Sequence, residues 1–129
     1  MILESVQKRM LHLLRDLQGK NYDEKLREVG LTTLEKRRDR SDLIEMYKIM
    51  NGLTSVPVDS MFTFVAQKHD VHTRSAENLQ IALPKSNLNI RKNFFTLRVV
   101  QAWNDLPLKL RQKSTLISFK KGLDNFLSV

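Results

Sequence analysis

Cysteine is absent from this 129-residue chain, which removes disulfides, zinc knuckles, iron–sulfur sites and thiol nucleophiles together. Glycine numbers only 4, and neither Gly-x-Gly-x-x-Gly nor Gly-x-x-x-x-Gly-Lys-Ser/Thr occurs, so no glycine loop cradles a phosphate. No apolar run approaches the ~20 residues of a membrane span, and no signal-peptide pattern opens the chain. The expectation is an intracellular protein, nuclear or cytoplasmic, with no membrane contact. No repeat, low-complexity tract or long linker divides the sequence, so one domain over residues 1–129 is expected. Catalytic pairs are missing as well, because nearly every carboxylate stands in a charge-rich helix beside a basic neighbour. His69 and His72 have only Asp70 nearby, which leaves a metal short of a fourth ligand; they read as loop histidines. No metal and no cofactor is expected.

What the chain does have is positive charge. Twenty-two Lys/Arg against fourteen Asp/Glu give +8. Residues 1–52 hold 11 basic and 9 acidic side chains, or +2, whereas residues 53–129 hold 11 and 5, or +6. An excess of this kind favours RNA, DNA or another polyanion, and a solvated surface is the alternative. With 41% hydrophobic and 28% charged residues, the composition suits a small helical domain that can bury roughly two thirds of the surface its unfolded form exposes.

The hydrophobic spacing sets out the elements. Leu3, Val6, Met10, Leu13, Leu14 and Leu17 form a helical stripe that Gly19 ends, and it is expected to pack within the domain, a partner seam being the alternative. A short helix from Asp23 to Val29 points Tyr22, Leu26 and Val29 inward and stops at Gly30. Thr32 to Glu35 reads as a capping box for a third helix that reaches Asn51, with Gly52 closing it. Its first half is charged, with Arg37, Arg38 and Arg40 set to pair with Glu35, Asp39 and Asp42. Its second half is core: Leu43, Ile44, Met46, Tyr47, Ile49 and Met50. Val56 to Ser60 is turn material. Alternation at Phe62 and Phe64, and again at Leu79, Ile81 and Leu83, predicts two short extended segments or strands around a polar loop. Leu116, Phe119, Leu123, Phe126 and Leu127 make the last stripe, capped by Ser114 or Thr115, with Gly122 weakening that helix by ~1 kcal/mol relative to Ala. The fold class is therefore mainly α, about five helices with two short extended segments.

The densest stretch runs from Asn89 to Pro107. Asn89 is a good N-cap, and Pro107 forces the preceding residue out of the α region. On a helical wheel Ile90, Phe94 and Leu97 form one face and Phe95, Val99, Ala102 and Trp103 another, the mark of a helix buried on several sides. Arg91, Lys92 and Arg98 have no use in such a core, and should emerge at its ends and along one strip. With Lys109, Arg111, Lys120 and Lys121 they are expected to form a single nucleic-acid-binding patch.

The same stretch, Arg91-Lys92-x-Phe94-Phe95, Arg98-Val99-Val100 and Trp103-Asn104-x-Leu106-Pro107, resembles the region after the polymerase domain in reverse transcriptases of LINE-type (non-LTR) retrotransposons. The resemblance extends to Leu3-Glu4-Ser5-Val6-Gln7-Lys8-Arg9, Tyr22 to Leu26, Leu31 to Arg38, Asp42-Leu43-Ile44, Tyr47 to Met50, Gly52-Leu53, Met61-Phe62 and Ser118-Phe119-Lys120-x-x-Leu123-Asp124. It departs at Ser75-Ala76, where the family commonly has Gly-His. It implies a thumb-like or post-thumb, non-catalytic part of an RNA-directed DNA polymerase, gripping template RNA or the primer duplex by its backbone. The aromatic-x-Asp-Asp motif that holds two metal ions in such polymerases has no counterpart, since the chain contains no Asp-Asp pair, so the chain is not expected to be an enzyme. Two partners remain open: nucleic acid without sequence preference, alongside the remainder of a reverse transcriptase, or a protein bound by a retrotransposon-derived helical interaction or self-association module.

Overall fold

A computed structural model describes residues 2–65, 80–85 and 93–127. Seven α-helices lie among these residues: α1 (Ile2–Leu13), α2 (Tyr22–Val29), α3 (Leu34–Met50), α4 (Val58–Met61), α5 (Phe95–Asp105), α6 (Leu108–Arg111) and α7 (Leu116–Leu127). The mainly helical class is as expected. The helix count exceeds five because two single helical turns join the longer helices: Val58–Met61, where turn material was expected, and Leu108–Arg111, where a basic link or single turn suits the sequence.

The helix ends follow local chemistry. Asn21 caps α2 in a full capping box, its side chain accepting from Glu24 N while the Glu24 carboxylate accepts from Asn21 N, each at 2.9 Å. The cap of α3 is Thr33, which accepts from Lys36 N at 3.3 Å, one residue later than the expected Thr32. At its other end Gly52 N donates to Ile49 O and Leu53 N to Lys48 O, with Gly52 at φ 64°; this nested pair of bonds requires the left-handed conformation that glycine adopts at least cost. Thr115 Oγ1 accepts from Ser118 N in the first turn of α7.

The core lies where α3 packs against α5 and α7. Leu43, Ile44, Met46, Tyr47 and Ile49 of α3, Val99, Val100 and Trp103 of α5, and Phe119 and Leu123 of α7 are buried there. Tyr47 stacks on Phe119 with ring centroids 4.3 Å apart, worth ~0.5–1.5 kcal/mol beyond the area buried. The Tyr47 hydroxyl donates to Lys113 O at 2.5 Å, so the buried ring keeps its polar end satisfied.

The two extended segments meet in one antiparallel bridge, Phe64 to Ile81, with Val65 N donating to Gln80 O and Ala82 N to Thr63 O. Asn104 completes this pairing from the helix side: its Oδ1 accepts from Ile81 N at 3.0 Å and its Nδ2 donates to Ile81 O at 2.9 Å. The Trp-Asn-x-Leu-Pro run thus has a physical role at every specified position. Trp103 and Leu106 fill the core, Asn104 acts as a strand partner for Ile81, and Pro107 starts α6.

Four expectations change. Helix α5 begins at Phe95, because Phe94 is extended (φ −69°, ψ 147°); Phe94 is exposed, and Asn89, Ile90 and Leu79 lie outside the described residues. Phe126 and Val29 are likewise exposed. Helix α1 stops at Leu13 and is followed by a 3-10 turn at Arg15–Leu17. The fourth change is the largest: α1 is turned the opposite way from the expected packing. Ile2, Leu3, Val6, Met10, Leu13 and Leu14 are exposed, and the inward side is polar. The Glu4 carboxylate accepts from the Tyr22 hydroxyl and from Leu34 N, and Gln7 Nε2 donates to the Tyr22 hydroxyl and Thr32 O. Arg37 donates to Gln7 Oε1. These bonds, with a small cluster of Leu11, Leu17 and Leu26, hold α1 in place and leave its broad apolar arc to solvent.

Candidate polyanion-binding surface

Of the expected patch, Arg98 is engaged inside the fold. Its Nε donates to Asp42 Oδ2 and its Nη1 to Asn93 O, both at 2.6 Å. The hydrogen bond to Asp42 raises the guanidinium pKa above its ordinary value, and burial only partly opposes it. Arg98 therefore ties α5 to α3. Arg111 is buried, and desolvation lowers its pKa; a guanidinium in that position packs within the domain and offers no surface to a phosphate. Arg91, Lys92, His69 and His72 lie outside the described residues.

Lys109, Lys120 and Lys121 stand at the surface of α6 and α7, Lys109 and Lys121 exposed and Lys120 half-buried. Lys113 adds a fourth cation that the sequence reading left out. Its Cε lies 4.0 Å from where a Cβ on Gly122 of α7 would stand. The ion pairs among the described residues use Lys20, Arg38, Arg40, Lys48 and Arg98, so this lysine group meets no carboxylate at ion-pair distance there.

Of the Arg37 to Arg40 cluster, Arg38 alone pairs as expected, with Asp39; Arg37 donates to the neutral Gln7, Asp42 is taken by Arg98, and Arg40 reaches a different helix. Arg40 grips Asp124 of α7 with two hydrogen bonds, Nε to Oδ1 at 2.5 Å and Nη2 to Oδ2 at 3.0 Å. This bond raises the Arg40 pKa and holds the Asp124 carboxyl below the usual range. Two fork-aligned bonds of this type specify geometry as well as charge. Here they clamp α3 to α7.

A second basic group, which the sequence reading passed over, lies between α1 and α2. Lys8, Arg9, His12, Lys20, Tyr22 and Lys25 line an open hollow of about 400 Å³. The even charge balance of residues 1–52 concealed it. The available signal was the spacing of Lys8, Arg9 and His12 on one side of a helix, with Lys20 and Lys25 bracketing the next cap.

The remaining hollow of note is apolar, lined by Met61, Phe62, Ile81, Leu83 and Val100 beside the β-bridge. No helix among the described residues is long and apolar enough to cross a membrane. Comparison with protein-family models, curated proteins and solved structures finds no match to this chain.

Proposed function

We propose that this chain is a non-catalytic helical domain that grips nucleic acid by its phosphate backbone, without sequence preference, as the resemblance to the post-polymerase region of LINE-type reverse transcriptases implies. The observation that carries the reading is the sorting of cations. Arginines that stabilise the fold, Arg40 and Arg98, are matched to Asp124 and Asp42, while Lys109, Lys113, Lys120 and Lys121 make no ion pair among the described residues, Lys120 alone lying near enough to Asp124 to help lower its pKa. Lysine suits such a surface, because a mobile point charge follows a phosphate backbone without demanding a fixed geometry. Arg91 and Lys92 belong to the proposed contact set by sequence. On this reading the domain works inside the cell, in the nucleus or cytoplasm, alone or attached to the remainder of a reverse transcriptase.

The test is the salt dependence of binding to RNA and DNA oligonucleotides of unrelated sequence. A surface making ~4–6 phosphate contacts has a slope of log K against log salt of about −3 to −5. Replacing Lys109, Lys120 and Lys121 together with Gln should flatten it by about 2 to 3, at ~0.7–0.9 per contact, and equally for every sequence. An unchanged slope in that variant overturns the assignment. The second reading, a helical protein-interaction or self-association module, is favoured by the apolar arc of α1, since an exposed contiguous apolar surface marks an interaction site. It takes over if the domain shows no salt-dependent nucleic-acid binding and instead associates through α1.

A further inference from the structure

Lys25 is buried, with 5% of its surface exposed, yet the ion pairs among the described residues do not include it. Its hydrogen-bond contact is His12 Nδ1, at 3.0 Å. A lysine ammonium has three N–H donors, so a bond to His12 leaves two to aim elsewhere. Buried charges are ordinarily paired, because removing an ion from water costs far more than a neutral contact returns. Here the neighbours make the imbalance larger. Lys8, Arg9 and Lys20 line the same hollow, whose lining contains no Asp or Glu. Glu28 reaches Lys20 from a neighbouring surface, and the Tyr22 hydroxyl is turned away to Glu4 while Lys8 Nζ lies 4.9 Å from the centre of its ring. Lys8, Arg9 and Lys25 are therefore the lining cations that meet no carboxylate at ion-pair distance among the described residues, while Lys20 is shared with Glu28.

We propose that this hollow is a phosphate-binding site, with Lys25 at its floor and Lys8, Arg9 and Lys20 at its rim. A bound phosphate supplies the missing negative charge and accepts the free donors of Lys25. His12 positions the Lys25 amine by accepting one of its hydrogens. The phosphate is either a phosphodiester of a nucleic-acid strand or a terminal phosphomonoester. The site shares no side chain with the lysines of α6 and α7, so its failure and the failure of the backbone-binding reading are separate results.

The experiment follows backbone amide resonances of the full chain as inorganic phosphate is added, against chloride at matched ionic strength. Saturable shifts are expected at residues 8–12 and 19–25. Lys25→Met and Arg9→Gln should each weaken binding about tenfold, the equivalent of one lost charge-assisted hydrogen bond, while Lys121→Gln leaves it unchanged. Should Lys25→Met fail to fold, the paired Lys8→Gln and Arg9→Gln variant decides, since both side chains are exposed. Shifts that do not saturate, that chloride reproduces, or that persist in the rim variant overturn the site. Oligonucleotides of one sequence with a 5′-phosphate or a 5′-hydroxyl then identify the source. Tighter binding of the phosphorylated strand, lost in Arg9→Gln, assigns a terminal phosphomonoester. Equal binding, weakened alike by Arg9→Gln, assigns the backbone diester.

Discussion

The helices α3, α5 and α7 and the helices α1 and α2 solve the same problem in opposite ways. In the first group the apolar stripes face one another and enclose Trp103, Tyr47, Phe119 and Val100, and the arginines that border the core are matched to carboxylates on neighbouring helices. In the second group only Leu11, Leu17 and Leu26 form a buried cluster. Polar side chains hold α1 in place, its apolar arc faces water, and its cations gather around a hollow. The first arrangement maximises buried apolar area, the main favourable term in folding. The second leaves both apolar surface and charge available to something else. Buried apolar area is thus concentrated around α3, α5 and α7, whereas α1 and α2 leave apolar surface and cations exposed.

The largest effect expected from this contrast is on stability. Trp103 has 0% of its surface exposed and lies 6.2 Å, centroid to centroid, from Phe119. Replacing it with Ala should cost ~3–5 kcal/mol, enough to unfold a domain of ordinary stability. Leu11→Ala, in the three-residue cluster, should cost ~2 kcal/mol, the low end for a buried leucine, because so small a cluster can collapse around the gap. Urea denaturation of the two variants measures both. Equal costs would break the comparison, for they would mean that α1 is as deeply integrated as α5.

Sequence patterns were most informative where core packing follows helical periodicity. The stripe of α3 from Leu43 to Met50 and the α5 residues Val99 and Trp103 face the core as their spacing requires, since a helix with apolar residues around most of its circumference has few ways to avoid burial. The α1 stripe was equally regular, but periodicity reports only that a helix has two faces. Which face turns inward depended on Glu4 and Gln7 reaching Tyr22, Thr32 and Leu34, contacts between residues up to 30 apart. Gly122 is a further case. Its helix propensity counts against α7, yet a Cβ there would stand 2.6 Å from Leu110 Cδ1, so the glycine gives Leu110 its place in the core. Of the cations expected at the patch, Lys109, Lys120 and Lys121 do stand at the surface. The engagement of Arg98 was not legible, because its matching to Asp42 is set by how α5 crosses α3.

A smaller effect concerns pH and the clamp between α3 and α7. The hydrogen bond from Arg40 holds the Asp124 carboxyl below its ordinary pKa. For a carboxylate depressed in the folded state, the stabilisation is present above the unfolded pKa of ~3.9 and is lost as pH falls through the folded value. Both side chains remain about a third exposed, at 29% and 35%, so screening limits the pair to about 0.5–1 kcal/mol. Asp124→Asn should therefore be less stable than the parent at about pH 6, and the gap should narrow progressively as pH falls below about 4. A gap that persists at low pH would assign the loss to packing of the side chain rather than to its charge.

The smallest effect on stability, and the sharpest distinction between the two regions, is expected from the apolar arc of α1. Leu3, Val6 and Met10 are 64%, 53% and 66% exposed, so replacing all three with Gln removes little buried area. Surface changes of this kind ordinarily alter stability by no more than ~0.5 kcal/mol each. Gln also retains a helix propensity close to that of Leu and Met, which keeps α1 formed while its outer face becomes polar. The triple variant should melt like the parent, bind less of a dye that reports exposed apolar surface, and show less self-association at high concentration. Its phosphate binding should be unchanged, because Lys8, Arg9 and Lys25 are left in place. A large loss of stability would instead show that the arc is covered within the folded domain. The interaction reading of α1 would then fall, while the lysine surface of α6 and α7 would remain the stronger account of what the chain binds.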